Sequence, residues 1–588
     1  MKVVIIGGVA GGASAAARLR RLDEHAEIVM FERGGYISFA NCGLPYYVGG
    51  EIEDRDELEL QTPESFKSRY NVDARIFSEV VGIDRAAKTV SVKNVITGEI
   101  NVENYDKLVL APGAKPILPP IDGIDHPKVF TIRTIPDAVN IKEFIDREKP
   151  RAAAVVGGGY IGIEMAENLS MAGLDVTIIE MADHVIASLD YDMACDVHNH
   201  LREKGIKLML SNRVTEIKET NGKLALIPLP WRGAAAGGGV VTPEGKAANG
   251  GEPAPAPGEP IEADMVIIAV GVVPETELAT SAGLEVNKRG AIIVDETMLT
   301  SDDDIYAVGD AVEVVEFVTG QSGHIPLAGP ANKQARIAAD NIHRASASAA
   351  HAAAHTPQES RYEGTQGSAV MKIFDMTVAV TGITEATAKA NNLDYDKVFT
   401  YSASHAGYYP GGSEMSIKTI YDKTNGMILG AQIVGYDGVD KRCDVLAAAV
   451  RAGMKASDLA ELELCYAPPF SSAKDPVNFA GFVIENCLAG LVKQFHWHDV
   501  DALPRDGSVT LLDVRTPGEY AAGHIEGFVN IELDSLRANI GSLDKAKPVY
   551  AHCRSGMRSY LACRILAQHG FDCYNLSGGY RLYYATRQ

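Results

Sequence analysis

Two stretches of this chain follow one plan, and that repetition limits the folds open to it more than any other feature. Residues 3 to 33 run VVIIG, a glycine turn, the alanine-rich ASAAARLRRL and then EIVMFER, with Glu32 near the end. Residues 152 to 180, AAAVVGGGYIGIEMAENLSMAGLDVTIIE, repeat the order and end on Glu180. A short apolar run, a glycine turn, a helix and a second apolar run make a parallel βαβ unit. In the second unit Gly157-x-Gly159-x-x-Gly162 is complete. Its glycines permit a tight turn and close approach of backbone to a pyrophosphate at the positive helix end, and Glu180 suits a ribose hydroxyl. In the first, Gly7-Gly8-Val9-Ala10-Gly11-Gly12, Val9 holds the middle glycine position. Two such units predict an α/β fold with two Rossmann-like dinucleotide-binding domains.

At 588 residues the chain is too long for one core and suggests about three or four domains. Its net charge of −22 opposes nucleic acid and anionic membrane surfaces as partners. No run approaches the roughly 18 to 20 apolar residues that span a bilayer, and MKVVIIGG enters a strand without a signal-like segment. The 8 cysteines are widely scattered, which suits reduced thiols and a cytoplasmic location. None has zinc spacing, so no metal is expected.

Composition and periodicity divide the chain further. We expect an FAD-binding domain in two parts, 1–149 and 286–345, around an NAD(P)H-binding domain, 150–285. The Gly-, Ala- and Pro-rich segment 228–262 reads as a flexible surface insertion in the latter, a widened hairpin. ASASAAHAAAH, near 345–355, reads as a helix continuation or a linker. Residues 365–487 alternate strands with later helices, as an α+β dimerisation domain does, and a last α/β unit spans 495–588.

Cys42 stands alone in SFANCGLPYY, among Ser38, Asn41 and Gly43, with no nearby second cysteine. A thiol acts as a nucleophile in its thiolate form, which the positive field of a flavin site or helix end favours. With GGVAGGASAAARLRRL, LQTPESF, SHAGYYPGG and YAPPFSSAKDPVN, this segment resembles the coenzyme A-disulfide reductases and their persulfide-reducing relatives, flavoenzymes with one redox cysteine. The resemblance covers essentially the whole chain except 228–262. It implies FAD, NADH or NADPH, a homodimer, and coenzyme A held as a mixed disulfide on Cys42, so that the second sulfur comes from the ligand.

The same resemblance assigns the cofactor contacts. Gly7, Gly8, Ala10, Gly11, Glu32 and Arg33, the turn Ala111-Pro112-Gly113 and Asp310 in TSDDDIYAVGDA would hold FAD. Gly157, Gly159, Gly162, Glu180 and Gly271 would hold the nicotinamide cofactor. Glu180, with no arginine close behind, favours NADH over NADPH. Coenzyme A phosphates need cations, and Arg18 and Arg21 share a helix face with Ser14 one turn earlier. Lys67 and Lys474 complete that set, with Ser38 and Asn41 beside the cysteine. Tyr408 and Tyr466 would be the partner subunit's phenols near the sulfurs, with Tyr409 an alternative to Tyr408.

In the last unit, His552-Cys553-Arg554-Ser555-Gly556-Met557-Arg558 links a strand to a helix, so its backbone N–H groups face the sulfur and favour thiolate or persulfide. With DVRTPGEYAAGHIEG, read as a strand end and a loop, and a closing SGGY, it resembles the rhodanese family. Arg558 gives Cys-x4-Arg, one residue shorter than the cysteine phosphatase loop, a cradle for sulfane sulfur.

These readings converge on an FAD-dependent, NAD(P)H-linked reductase of coenzyme A persulfide, polysulfide or coenzyme A disulfide, fused to a rhodanese domain that receives sulfane sulfur from donors. Cys42, Cys553, Tyr408, Tyr466 and Arg558 carry the chemistry. An NADH oxidase or peroxidase is the main enzymatic alternative, but those enzymes typically carry histidine where this chain has Ala10. The non-enzymatic alternative is a sulfur carrier or redox sensor.

Overall fold

A computed structural model describes residues 1–231, 258–346 and 359–588. The bulk of the segment 228–262 and of the alanine-rich stretch near 350 thus lies outside the described residues. Contacts divide the chain into two compact units: the described residues within Met1–Ile179, Asn212–Pro230 and Ala256–Gly367, and those within Glu180–Ser211, Trp231–Pro255 and Ser368–Gln588.

In the first unit the apolar run Lys2–Ile6 is the middle strand of a five-stranded parallel sheet. Lys107–Leu110 and Ile305–Ala307 lie on one side, Glu27–Phe31 and Asp73–Arg75 on the other. Strands covered on both faces read as unbroken apolar runs, and Val3, Val4 and Ile5 are buried accordingly. The alanine-rich helix Ala10–Leu22 lies against the helix Ala328–Ser346, and Ala15, Ala16, Ala335, Ala338 and Ala339 share one core. Small residues let the two backbones come close. A second parallel set orders Asp175–Ile179, Ala152–Val156, Met265–Ile268 and Val129–Phe130. Nearby, Lys223–Pro230 pairs antiparallel with Ile261–Ala263, which brings the two ends of the low-complexity segment together.

Gly12 shows why the helix after the first turn begins as it does. A Cβ there would stand 1.9 Å from the Gly7 carbonyl oxygen, and one at Gly162 would stand 2.0 Å from that of Gly157. The two turns are thus closed by the same contact, and Gly12, rather than Gly11, matches Gly162.

The second unit contains two sheets. One is antiparallel, ordered Ala369–Ile373, Met376–Gly382, Ile428–Gly435, Glu414–Asp422 and Tyr395–Ala403. The other is parallel, ordered Lys493–Phe495, Cys573–Leu576, Val549–His552, Thr510–Asp513 and Val529–Asn530. The segment read as a loop after Thr510–Asp513 contains the helix Pro517–Ala522. Thr516 and Glu519 form a reciprocal capping box there, so local hydrogen bonding wins over the glycine and polar content.

A buried ion cluster lies at the heart of this unit. Lys418, fully buried, lies 2.8 Å from both Asp190 and Asp192 and 2.7 Å from Glu385. Lys397 adds a second ammonium 2.6 Å from Glu385, and the Trp497 indole donates to Asp192 at 3.2 Å. The carboxylates hold Lys418 well above the ordinary lysine range despite burial. The two ammonium groups hold Glu385 well below the carboxylate range against the same desolvation. Replacing Lys418 with Met leaves buried carboxylates without their cation. It should therefore lower the stability of this unit by about 3–5 kcal/mol near neutral pH. The cluster's contribution is present above the ordinary carboxylate range and is lost as pH falls, so the deficit of the variant should shrink in acid. Urea midpoints of both proteins across that range check this, and equal midpoints at neutral pH would refute it.

Candidate active sites

Both glycine turns present uncapped helix ends. The helices Ala10–Leu22 and Tyr160–Met171 have no side-chain cap and no acid in the first turn, so their backbone N–H groups and dipoles are ready for a phosphate. A Cβ at Gly159 meets no atom within 4 Å, which leaves open space over that helix end. At the first turn, Glu32 accepts from Gly8 N at 3.0 Å and Gly34 N at 2.8 Å, so its carboxylate is anchored where the adenosine ribose is expected. A Cβ at Gly7 would lie 2.1 Å from the Ala111 carbonyl oxygen, and one at Gly157 lies 2.3 Å from that of Ala269. The Ala111-Pro112-Gly113 turn is therefore packed on Gly7, as Ala269 and the following positive-φ Gly271 are on Gly157. Asp310 lies in the turn Gly309–Ala311, and burial raises its carboxyl above the ordinary range. These features fit a bound FAD and a nicotinamide dinucleotide. Arg33 pairs with Glu275, which also receives Arg133 at 2.7 Å.

Cys42 lies in the short turn Asn41–Gly43, which runs directly into the helix Leu44–Gly49. The preceding chain is bent by a positive φ at Ser38, whose N–H donates to the Gly8 carbonyl at 2.8 Å and ties this loop to the glycine turn. Cys42 is the only cysteine of the first unit. Among the protein's own groups, desolvation and then Glu164 and Asp310 push the Cys42 thiol upward. Glu164, in the helix that follows Gly159, carries a carboxyl raised to about 7 by burial and by Glu167. Sequence reading passed over Glu164, although IGIEMAE places it one turn after Tyr160.

Of the expected coenzyme A contacts, Arg18 donates to Asp340 at 2.6 Å and Ser14 to Asn332. Arg21 and Lys67 are exposed in the first unit, and Lys474 is exposed in the second. Asn41 is exposed beside the cysteine, with its amide 3.5 Å from the Arg133 carbonyl.

In the second unit the Tyr408 and Tyr466 hydroxyls lie 2.9 Å apart, with Tyr408 75% and Tyr466 49% exposed. Tyr409 instead sets its ring edge against His405. Their hydrogen bond raises the Tyr408 phenol. The two loops are joined by the buried Arg442, which donates to the Ser404 carbonyl at 2.9 Å and to Ser471 Oγ and Asp475 at 3.1 Å. Nothing in the sequence singles out Arg442, because its partners lie 33 and 38 residues away.

Cys553 is buried at the start of its loop, where Gly556 N donates to its sulfur at 3.1 Å and Ser559 Oγ lies 3.3 Å from it. Arg558 forms a two-point pair with Glu519, both contacts at 2.7 Å, which holds the Glu519 carboxyl down at about 2. The SGGY motif closes the cradle from behind: Tyr580 N donates to the Cys553 carbonyl at 2.8 Å. A Cβ at Gly579 would sit 2.6 Å from that same oxygen. Beneath the loop, Arg515 bridges Asp513 and stacks on Tyr580, with its guanidinium 4.1 Å from the ring centroid. Burial lowers His552 to about 4, so it is neutral at physiological pH.

Comparison with known proteins agrees with this geometry. Residues 1–335 match the model of the pyridine nucleotide-disulphide oxidoreductases, 368–476 their dimerisation domain and 496–586 the rhodanese-like domain. Among curated proteins, the chain is 36% identical to an NADH oxidase of Methanocaldococcus jannaschii, with 82% of this chain and 98% of the relative covered. It is 32% identical to a coenzyme A disulfide reductase of Staphylococcus haemolyticus, again with 82% and 98% covered. Among solved structures, the reduced CoADR-RHD of Bacillus anthracis superimposes with a TM-score of 0.90 at 46% identity, covering 100% of this chain and 98% of that one. A NAD-dependent persulfide reductase from A. fulgidus gives 0.86 at 37% identity, covering 99% and 100%. The chain belongs to the pyridine nucleotide-disulphide oxidoreductase family, and it carries a C-terminal rhodanese domain. It is an oxidoreductase of the flavin- and NAD(H)-using class.

Replacing Arg442 with Leu removes the cation between the two tyrosine loops and strands Asp475. Stability should fall by about 3–5 kcal/mol, with faster amide exchange at Ala406 and Ser471. Wild-type exchange in both loops would show that Arg442 does not hold them.

Proposed function

We propose that this protein is an NADH-linked flavoprotein that reduces sulfur carried on coenzyme A, as the persulfide or disulfide, through Cys42, and that its rhodanese domain takes up sulfane sulfur at Cys553. The observation that carries this reading is the pairing, in one chain, of a single cysteine beside a dinucleotide cradle with a second cysteine in a self-contained anion cradle. With no second cysteine in the first unit, the partner sulfur of Cys42 has to come from the ligand. The names of relatives that reduce coenzyme A disulfide or persulfide support it.

When bound, the flavin supplies a two-electron path from the nicotinamide to sulfur. The freed Cys42 thiolate attacks the substrate sulfur, a new bond to Cys42 forms, and the substrate's sulfur–sulfur bond breaks with release of a thiolate or hydrosulfide. Tyr408 and Tyr466, presented by the partner of a homodimer, donate the proton that the leaving sulfur needs. Arg21 and Lys67 serve the coenzyme A phosphates. At the other cysteine, Gly556 N–H and Ser559 Oγ stabilise the Cys553 thiolate and its persulfide, while Glu519 aims Arg558 at the cradle mouth. An oxidase reading lacks an imidazole at Ala10. The free, scattered cysteines suit the reducing cytoplasm.

Cys42→Ser should lower NADH-dependent persulfide reduction by about 10³-fold or more while FAD stays bound. Cys553→Ser should remove sulfur transfer from thiosulfate or polysulfide yet leave reduction of preformed coenzyme A persulfide near wild type. If both variants lose persulfide reduction equally, the two-site reading fails.

Glu180 follows the second apolar strand of the nicotinamide unit and would repel a 2′-phosphate. NADH should therefore be preferred, and a kcat/KM in favour of NADPH by about tenfold, or about 1.4 kcal/mol, would overturn this.

A further inference from the structure

Two short strands join the two glycine turns. The turn Ala111-Pro112-Gly113, packed on Gly7, runs straight into Ala114–Pro116, and Gly271, which follows the Ala269 packed on Gly157, runs straight into Val272–Pro274. Among the described residues these strands pair only with each other, antiparallel, and so form a ribbon from one cradle to the other. A hydrogen bond closes each end. Ile117 N donates to the Gly271 carbonyl at 3.0 Å beside the nicotinamide cradle, and Glu275 N donates to the Gly113 carbonyl at 3.0 Å beside the FAD cradle. Two strands alone are marginal in water, so the ribbon needs support from outside itself.

At the FAD end that support is one carboxylate. Glu275 receives Arg33 at 3.0 Å and Arg133 at 2.7 Å, and its side chain is only 14% exposed. Despite desolvation, the two guanidinium groups hold its carboxyl below the ordinary range, so it is ionised. Both arginines are rooted in the FAD cradle. Arg33 follows Glu32, which is anchored to Gly8 and Gly34. Arg133 also donates to the Pro112 carbonyl at 3.2 Å, and its own N–H donates to Asp137 at 3.1 Å, at the start of the helix Ile135–Glu148. The ion pair Lys115–Glu277 lies nearby with both partners exposed, where water screens it, and adds little.

We propose that Glu275 is a positioning residue for electron transfer between the two cofactors: it pins the ribbon to the FAD cradle and so fixes where the nicotinamide cradle holds its dinucleotide relative to the flavin. It acts through Arg33, Arg133 and the carbonyls of Pro112 and Gly113. Hydride transfer is steeply sensitive to placement, and an error of about 1 Å can cost about 10²-fold. The inference rests on the flavin- and NAD(H)-using class of the protein and is independent of the substrate that Cys42 reduces.

The test is anaerobic, single-turnover reduction of the FAD-loaded protein by NADH, followed at the flavin absorbance, with amide exchange of the same holoprotein at Ile117 as a second readout. It stops at the flavin, so it stands or falls apart from Cys42. Glu275→Gln keeps the size of the side chain. It should slow reduction at saturating NADH about tenfold, while the half-saturating NADH concentration stays within about twofold because the Gly157 turn is untouched. Loss of a negative charge by itself favours an electron-rich flavin, so slowing is the mark of displacement and not of charge. Ile117, at the far end of the ribbon, should exchange about tenfold faster. Arg133→Gln removes one arm and should slow reduction less, and the double variant should fall short of the product of the two effects. A wild-type reduction rate in Glu275→Gln overturns the proposal, as does slowed reduction with wild-type exchange at Ile117, or effects of the two variants that simply multiply. If Glu275→Gln does not fold, Arg133→Gln with wild-type reduction and wild-type exchange overturns it.

Discussion

The second unit is organised around one ammonium group. Lys418 is surrounded by carboxylates from Asp190, Asp192 and Glu385, and those carboxylates in turn hold Lys397, Trp497, Gln432 and the N–H of Glu385. A buried charge is tolerated only when it is paired and its remaining hydrogen-bonding capacity is met, and each member here meets another's. Because Asp190 and Asp192 lie at the start of the helix Tyr191–Glu203 and Trp497 at the entry to the rhodanese sheet, one cluster joins three segments far apart in sequence. The rhodanese domain is further tied by Ser577 to Phe399 N at 3.3 Å and by Arg581, which lies over the Tyr401 ring at 4.5 Å. It is thus docked on the antiparallel sheet by buried polar contacts.

The two cysteines stand in opposite surroundings. Cys553 has donors aimed at its sulfur and an arginine held at its loop by Glu519, so the protein itself stabilises negative charge there. Cys42 has desolvation and two acids, which oppose its ionisation. A thiol so placed is reactive only when other groups compensate, through proton uptake nearby or through the electronics of a bound cofactor. The difference matches a site that stores sulfur as an anion and a site that alternates between disulfide and thiol.

Several features were legible because they rest on local spacing. Gly157-x-Gly159-x-x-Gly162 and the Cys553 loop each write their backbone geometry within a few residues. The helix Pro517–Ala522 is less legible, because its glycine and polar content suggests a loop and only the Thr516–Glu519 capping box sets the helix. Arg33 meets Glu275, 242 residues away, a pairing that no local pattern announces.

By itself the sequence determined the class of fold, the order of the domains, the two dinucleotide cradles and the position of each reactive cysteine. The fold class and the dinucleotide cradles follow from apolar periodicity and glycine spacing within single βαβ units, while the cysteine positions follow from the resemblance of the motifs around them to known families. The tertiary structure alone decided which charges meet. Arg558 finds Glu519 across 39 residues, and Lys418 finds Asp192 across 226. The physical reason is that ionisation depends on desolvation and on charges a few ångströms away in space, and chain order does not record either.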